Sequence, residues 1–269
     1  MRIATLGPRG TFSHESAIKY NKDSKMRFET TVWDIFDCVK KGKADVGVVP
    51  IENSVSGTVG LTMDALIEFR LNIIGEIIHQ VRHNLAGFGK IEYIKEIYVQ
   101  PQTYEQCVIF LRKNFPRAKI IETSSNGQSA KLLKEDSENT KAAIVPEIAA
   151  RIYGLKILLR EIQDNKLNVT RFIVVSKRAA KRTGRDRTSI VIYPHSDMPG
   201  LLYRLLGEFA KRDINLTKIE SRPSKERLGN YIFFIDLEGH KSENHIKEAF
   251  ENIERNFSLR LLGSYPRMY

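Results

Sequence analysis

The sequence predicts an α/β protein that ends in a separate small module of βαββαβ order. Three observations carry this expectation. Strand-like and helix-like runs alternate along the first two-thirds of the chain, the pattern of layered α/β structure. Two glycine- and hydroxyl-bearing turns each follow a short apolar run and lead into a helical pattern. The segment from Asp186 to about Tyr265 carries its own complete set of four strand and two helix signals.

The chain has 269 residues, enough for one large domain or two smaller ones with a sizeable core. Hydrophobic residues make up 42% and charged residues 28%, ordinary values for a folded soluble chain. No apolar run approaches the roughly 18 residues of a membrane span, and the start, Met1 to Leu6, is too short for a signal peptide. The cytoplasm is the expected location, with no membrane partner. Cys38 and Cys107 lack CxxC spacing and read as reduced, semi-buried thiols. The net charge of +11 suits nucleic-acid binding and anionic substrates equally. Much of it clusters between Lys177 and Arg187, where no aromatic residue is available to stack on bases. Residues 179–187 therefore read as a solvated basic linker, and no nucleic-acid partner is expected.

Residues 1–6 read as a strand and Gly7-Pro8-Arg9-Gly10-Thr11-Phe12-Ser13 as a tight loop. A helix follows from about His14, with Ser13 as its cap and Glu15 favourable in its first turn. Neither GxGxxG spacing nor a Walker lysine is present, but such a turn presents backbone N–H groups to an anion. Ala44 to Val49 has the character of a buried parallel strand. It runs into Pro50-Ile51-Glu52-Asn53-Ser54-Val55-Ser56-Gly57-Thr58-Val59-Gly60 and a helical pattern through Leu61, Ala65, Leu66 and Phe69. The two loops could converge on one dianionic ligand. Asn168-Val169-Thr170-Arg171-Phe172 enters a strand from Phe172 to Val175, with a hydroxyl and a cation at its start. Trp33 and Phe36 read as core. His79 and His83 have HxxxH spacing without a third ligand, so no metal is expected.

In the last module Thr188 to Tyr193 is a β-rich run, and Leu201, Leu202, Leu205, Leu206 and Phe209 recur at helical spacing. Asn215 to Ser221 and Tyr231 to Leu237 read as strands around a Lys225–Asn230 turn. Ile246, Ala249, Phe250, Ile253 and Phe257 mark a second helix, and Leu259 to Ser264 a last strand. This is a ferredoxin-like order, with helices on one face of an antiparallel sheet. Pro199 suits a first helical turn, and Gly200 lets a ligand approach the backbone. Free N–H groups there can hold an amino acid's carboxylate, with Asp197 and Asn215 as candidates for its ammonium group. A plain helix cap and a strand ended by Pro223 explain the same residues.

The stretch Asp197-Met198-Pro199-Gly200-Leu201-Leu202, followed by Asn215 to Pro223 with Glu220-Ser221-Arg222-Pro223, resembles the ACT regulatory domain of prephenate dehydratases. In that family this domain binds phenylalanine, usually across a domain–domain interface of a dimer. The resemblance thus implies Asp197, Met198, Pro199, Gly200, Leu201, Leu202, Asn215, Glu220 and Ser221 as an effector site. It also implies a homodimer or homotetramer joined through this domain. Leu201 stands where the family usually has alanine, which places a larger side chain beside the pocket.

Upstream, the Gly-Thr-Phe-Ser loop, Val-Pro-Ile-Glu-Asn-Ser with Gly57, Tyr153-Gly154-Leu155 and Asn-x-Thr-Arg-Phe resemble the dehydratase domain in order across nearly the whole chain. The resemblance implies that Thr170 is the essential catalytic hydroxyl. It also implies that Thr11, Ser13, Glu52, Asn53, Ser54 and Gly57 line the substrate site, with Gln106, Ser124, Ser125 and Phe172 as further positions near the ligand. His83-Asn84-Leu85 resembles a loop near that site, and Arg171, the cation beside Thr170, could hold a carboxylate. Val99-Gln100-Pro101-Gln102 replaces the usual Ser-His-Pro-Gln, so Val99 and Gln100 receive no role. The implied fold is two-lobed, built like type-II periplasmic binding proteins. Residues 1–75 and 163–178 would form lobe one and residues 76–162 lobe two, with Ile73 to Ile78 and Gln163 to Thr170 as crossover strands. Residues 188–269 would form the regulatory domain. No cofactor is implied.

The implied reaction is decarboxylative dehydration of prephenate to phenylpyruvate, inhibited by phenylalanine. Thr170 and Glu52 are rival groups for assisting the leaving hydroxyl. Arogenate is an alternative substrate, and a non-catalytic amino-acid-binding regulator is an alternative of another class. With its first strand beginning at Met1, the chain is expected to be monofunctional, with no preceding chorismate mutase segment.

Overall fold

The computed structural model describes residues 1–196, 198–224 and 230–268. Asp197 of the expected effector site, and most of the expected turn between Lys225 and Asn230, lie outside the described residues. In chain order the elements begin with β1 (Arg2–Leu6), α1 (Phe12–Tyr20), β2 (Lys25–Glu29), α2 (Val32–Lys40), β3 (Val46–Asn53), β4 (Gly57–Thr58), α3 (Gly60–Phe69) and β5 (Asn72–Gln80). Next come β6 (Asn84–Gly87), β7 (Glu96–Val99), α4 (Pro101–Glu105), α5 (Val108–Asn114), β8 (Lys119–Glu122), α6 (Asn126–Asp136), β9 (Lys141–Val145), α7 (Glu147–Tyr153), β10 (Lys156–Leu159) and β11 (Val169–Ser176). The last six are β12 (Asp186–Pro194), α8 (Leu201–Ala210), β13 (Leu216–Pro223), β14 (Tyr231–Glu238), α9 (Asn244–Ile253) and β15 (Phe257–Pro266). No helix among the described residues is long and apolar enough to cross a membrane.

Three sheets form among the described residues. One has the order β2-β1-β3-β11-β5, with β4 on the end of β3; the second is β10-β6-β9-β7-β8; the third is β13-β14-β12-β15. β1 pairs in parallel with β2 and β3, and β7 with β8 and β9. The helix-connected crossovers expected from strand–helix alternation account for this. α2 shows how locally the elements are specified. Thr31 and Asp34 form a capping box, and Val32, Ile35, Phe36 and Val39 bury one face. Trp33, expected in the core with Phe36, is instead 39% exposed because it falls on the opposite face.

The chain divides into two compact units: Met1–Ala65 with Ile77–Phe172, and Leu66–Glu76 with the chain from Ile173 onward. In the second unit the all-antiparallel sheet packs α8 and α9 on a core of Ile190, Ile192, Leu205, Phe209, Ile235 and Ile246. Its βαββαβ order is the one expected. Phe257, assigned by its spacing to the second helix, instead opens β15. Asp186 and Arg187, expected at the end of a solvated linker, are buried in β12, and Arg187 Nη1 lies 2.5 Å from Glu76 Oε2 with both side chains fully buried. A charge this deep is tolerated when it is paired. Glu76 Oε1 also accepts from the Met268 N–H, and Arg260 donates to the carbonyls of Leu66 and Ile67 at the end of α3.

Four other local expectations are corrected. α1 starts two residues earlier than expected: Thr11 is the cap, accepting from His14 N at 3.2 Å, and Ser13 is buried inside the helix. β3 continues through Pro50 to Asn53, because β4 pairs back onto it (Glu52 with Thr58, Asn53 with Gly57). Residues 163–168 are a loop, and only Val169 and Thr170 of the expected crossover strand are extended. Pro199 precedes α8, whose cap is Gly200 in the left-handed region at φ +77°. Both cysteines are free and buried.

Candidate active site

The site grows from the turn that follows β3. Gly57, at φ +78°, supplies the left-handed residue that folds β4 back on Asn53. Inside the turn, Asn53 Oδ1 accepts from the Val55 and Ser56 N–H groups at 2.9 and 2.8 Å, an Asx-type closure. This aims Asn53 Nδ2 outward, where it reaches three oxygens: Asn168 Oδ1 at 2.8 Å, Thr170 Oγ1 at 2.9 Å and the Val169 carbonyl at 3.1 Å. Ser54 fastens the same neighbours. Its N–H donates to Val169 O and its Oγ to Leu167 O, while Oγ accepts from the Val169 N–H at 3.0 Å.

Gln106, at the end of α4, joins from the second sheet's side of the same unit. Its Oε1 accepts from Asn168 Nδ2 at 2.8 Å and lies 2.8 Å from His83 Nε2, while its Nε2 donates to Ser56 Oγ at 3.3 Å. Thr170, Asn53, Ser54 and Gln106 are therefore one hydrogen-bonded group, although Gln106 and Thr170 are 64 positions apart in sequence. Asn168 and His83 complete it without having been singled out as site residues. Asn168 was legible as part of the Asn-x-Thr-Arg-Phe motif, and His83 as part of His83-Asn84-Leu85, which resembles a loop near the site.

Thr170 is 9% exposed at the start of β11, and Arg171 beside it is buried, its Nε 2.8 Å from Glu52 Oε1. Glu52 remains partly open. The guanidinium donates a charge-assisted hydrogen bond to this carboxylate. Phe172 is buried, its ring edge-on to His79 at 6.3 Å.

The first loop is placed against the second sheet's helices. A Cβ on Gly127 would lie 2.5 Å from Arg9 O, and one on Gly10 3.0 Å from the Ala149 Cβ. Thr11 donates to Leu6 O as well as capping α1, so both sides of its hydroxyl are used. Ser13 is buried, and its carbonyl accepts from Thr5 Oγ1. Ser124 and Ser125 are engaged at the head of α6, where both bond to Gln128. Phe12 connects the loop to the cluster, its ring edge-on to His83 at 5.3 Å. Burial pushes the His83 imidazole down to about 4, so the ring is neutral near physiological pH. The two residues without an assigned role are explained locally, Val99 as buried strand and Gln100 as the cap of α4. No group of metal-ligating side chains occurs among the described residues.

A model of the family described as prephenate dehydratase matches residues 3–180, and the ACT domain model matches residues 188–255. The chain belongs to the prephenate dehydratase family. A prephenate dehydratase of Methanocaldococcus jannaschii is 40% identical over 98% of this chain and 97% of its own length. A bifunctional chorismate mutase/prephenate dehydratase of Aquifex aeolicus is 41% identical over 99% of this chain and 74% of its own length. Among solved structures, the prephenate dehydratase of Arthrobacter aurescens in complex with L-Phe superposes with a TM-score of 0.90 at 36% identity, covering 99% of this chain and 90% of that one. The chain is accordingly an enzyme of lyase type with a carboxy-terminal ACT domain.

In that ACT domain the described residues of the expected effector set do not form one cluster. Met198, Pro199, Gly200, Leu201 and Leu202 sit at the head of α8, with Met198 and Leu202 more than a third exposed. Asn215 lies beyond the far end of α8, whose ten residues span about 15 Å. Glu220 and Ser221 are on β13, the edge strand. A cavity of about 200 Å³ near the head of α8 is lined by Tyr193, His195, Ser196, Leu201, Tyr231 and Phe233 among others, so among the described residues of the expected set only Leu201 reaches it.

Proposed function

We propose that the chain converts prephenate to phenylpyruvate, water and carbon dioxide, and that L-phenylalanine bound at the ACT domain inhibits it. The observation that carries the reading is the Asn53–Thr170 bond. Because Asn53 Nδ2 donates to Thr170 Oγ1, the hydroxyl proton of Thr170 is directed away from Asn53 and is available to a ligand. In prephenate the electron pair of the ring carboxylate bond moves into the ring as carbon dioxide departs, and the ring hydroxyl leaves. Thr170 would hydrogen-bond that hydroxyl, lowering the cost of the negative charge it develops. A threonine is a weak acid, so its contribution is charge stabilisation, and the departing hydroxide takes its proton from solvent to become water. Glu52, paired with Arg171, is better suited to holding the turn than to giving up a proton.

The proposed catalytic domain takes residues 1–178, with lobe one from 1–75 and 163–178 and lobe two from 76–162. Thr11, Ser13, Asn53, Ser54, Gly57, Gln106, Ser124 and Ser125 flank the ligand, and Arg171 and Phe172 support the strand that carries Thr170. The effector would sit between two copies of the domain spanning 188–269, because one copy holds the head of α8 and Asn215 too far apart for one amino acid. The chain would therefore be an oligomer, acting in the cytoplasm. The supporting comparison is the Arthrobacter aurescens relative, whose structure contains L-Phe.

The test is phenylpyruvate formation from prephenate, with and without L-phenylalanine, repeated with arogenate. Turnover of prephenate that falls as phenylalanine rises is expected. Faster turnover of arogenate would reassign the substrate. Phenylalanine binding by calorimetry with no turnover of either compound would leave only the non-catalytic regulator.

A further inference from the structure

We propose that His83 is a positioning residue for the dehydration: as the Nε2–H tautomer, it locks the Gln106 amide with its oxygen turned inward and its nitrogen kept as a donor for the site. This rests on the functional reading above.

The assignment follows from the direction of each hydrogen bond. Backbone N–H groups are obligate donors, so the Asn53 atom facing Val55 N and Ser56 N must be Oδ1. Asn53 Nδ2 then faces Asn168, which must answer with Oδ1 at 2.8 Å. Asn168 consequently presents Nδ2 to Gln106, and the atom that meets it at 2.8 Å must be Oε1. The same Oε1 lies 2.8 Å from His83 Nε2 and can only accept, so Nε2 carries the hydrogen. Flipping any one amide would set donor against donor or acceptor against acceptor. Two backbone N–H groups thus decide a histidine tautomer three side chains away.

A second line of reasoning is independent of the first. His83 is 1% exposed, and its Nδ1 has no hydrogen-bond partner among the described residues. A hydrogen on Nδ1 would be a buried, unsatisfied donor, whereas a bare Nδ1 is the less costly orphan. The ring itself is fixed. Phe12 packs edge-on against it, and the backbone of His83 is held by Gln163 Oε1 and the Ile162 N–H. With Oε1 committed to two donors, Gln106 Nε2 remains to donate to Ser56 Oγ and to a bound ligand.

The test uses the full chain with 15N-labelled histidine, and the resonance of His83 is identified by its loss in His83→Gln, with His83→Phe as a second check. Two-bond proton–nitrogen correlations should show a protonated Nε2 and a bare Nδ1. A protonated Nδ1, or averaging between tautomers, would overturn the proposal. In the prephenate assay His83→Phe keeps a ring against Phe12 but lacks the donor. Its kcat should fall about ten- to a hundredfold, as expected for a misplaced site group, with KM changed less than about threefold. His83→Gln puts an amide N–H near the position of Nε2 and should recover most of that loss. Wild-type kcat in His83→Phe, or equal loss in two variants that melt alike, would refute the role. Should His83→Phe fail to fold, the tautomer and the His83→Gln rate still decide. A parent chain inactive on prephenate would instead sink the functional reading, and the tautomer would then judge the geometry alone.

Discussion

Asn53 Nδ2 donates to Thr170 Oγ1 at 2.9 Å while Asn53 Oδ1 is held by two backbone N–H groups, so one amide both closes a turn and orients a hydroxyl. Asn53→Asp tests this pairing with almost no change in shape. The new carboxylate oxygen would face two oxygens that only accept, Asn168 Oδ1 and Val169 O, and the Thr170 hydroxyl, which can also donate. The Thr170 proton would turn back toward that oxygen and be lost to the substrate. Removing one preorganised donor from a developing oxyanion typically costs about a hundred- to a thousandfold in rate. A fall in kcat of about that size is expected in steady-state assays, matched by Thr170→Ala, whereas Thr170→Ser retains the hydroxyl and most of the rate.

Glu52→Gln separates the two groups that compete for assisting the leaving hydroxyl. If Glu52 serves mainly to pair with Arg171, the amide keeps an oxygen for the guanidinium and loses only the charge. Such a change is worth about 1–3 kcal/mol in stability when a buried charge is left less well matched. The expected outcome is a lowered midpoint in urea unfolding with kcat reduced less than about tenfold. Abolished turnover in a folded Glu52→Gln protein, with Thr170→Ala still active, would reverse the assignment.

How much of this could be read from the sequence depends on the distance over which each feature is specified. The strand–turn–helix units were legible because periodicity and glycine placement are local, and so were Thr170 and Asn53, each inside a compact motif. The cap of α1 was misplaced by two residues because Thr11 and Ser13 are both good caps, and only the His14 N–H decides between them. The burial of Arg187 was invisible, since a basic run shows nothing of Glu76 more than a hundred positions away. The links from His83 to Gln106 and from Gln106 to Asn168 are likewise tertiary and carry no local signature.

Gly127→Ala examines a contact at which only glycine fits. Its Cβ would lie 2.5 Å from Arg9 O and 2.9 Å from Pro8 Cγ, so the first loop must move away from the head of α6. Overpacking of this kind costs about 1–3 kcal/mol. The displaced loop carries Thr11 and Phe12, and Phe12 packs on His83. A raised KM for prephenate with a modest loss of stability is expected from initial-rate and thermal-melting measurements. An unchanged KM would mean that this loop does not help to hold the substrate.

His83 also makes the stability of the fold depend on pH. Burial holds its pKa near 4 in the folded chain, against about 6.5 when unfolded. Between those values the unfolded chain binds a proton that the folded chain does not, so stability rises with pH. The contribution is complete above about pH 6.5 and is lost as pH falls towards 4. Across that window stability changes by about 1.4 kcal/mol for each pH unit, about 3 kcal/mol in all. Urea unfolding at several pH values should show this slope in the parent and a shallower one in His83→Phe. Parallel slopes would place the titrating group elsewhere.

The effector site offers a test that one polypeptide cannot pass alone. Gly200 and Asn215 stand beyond opposite ends of α8, about 15 Å of helix apart. If phenylalanine bridges two copies, each site takes the head of α8 from one chain and Asn215 from another. Gly200→Val forces a β-branched residue into a left-handed position and should abolish phenylalanine binding. Asn215→Ala should do the same by removing a polar partner. Mixing the two variants after unfolding and refolding them together creates hybrids in which one site is assembled from two intact halves. Calorimetry of the mixture should therefore recover phenylalanine binding at about a quarter of the parent's stoichiometry, the random-assortment value for a two-chain site. No recovery in a mixture shown by mass to contain hybrids would place both residues' contributions within one chain, and α8 would then have to be spanned by some other route.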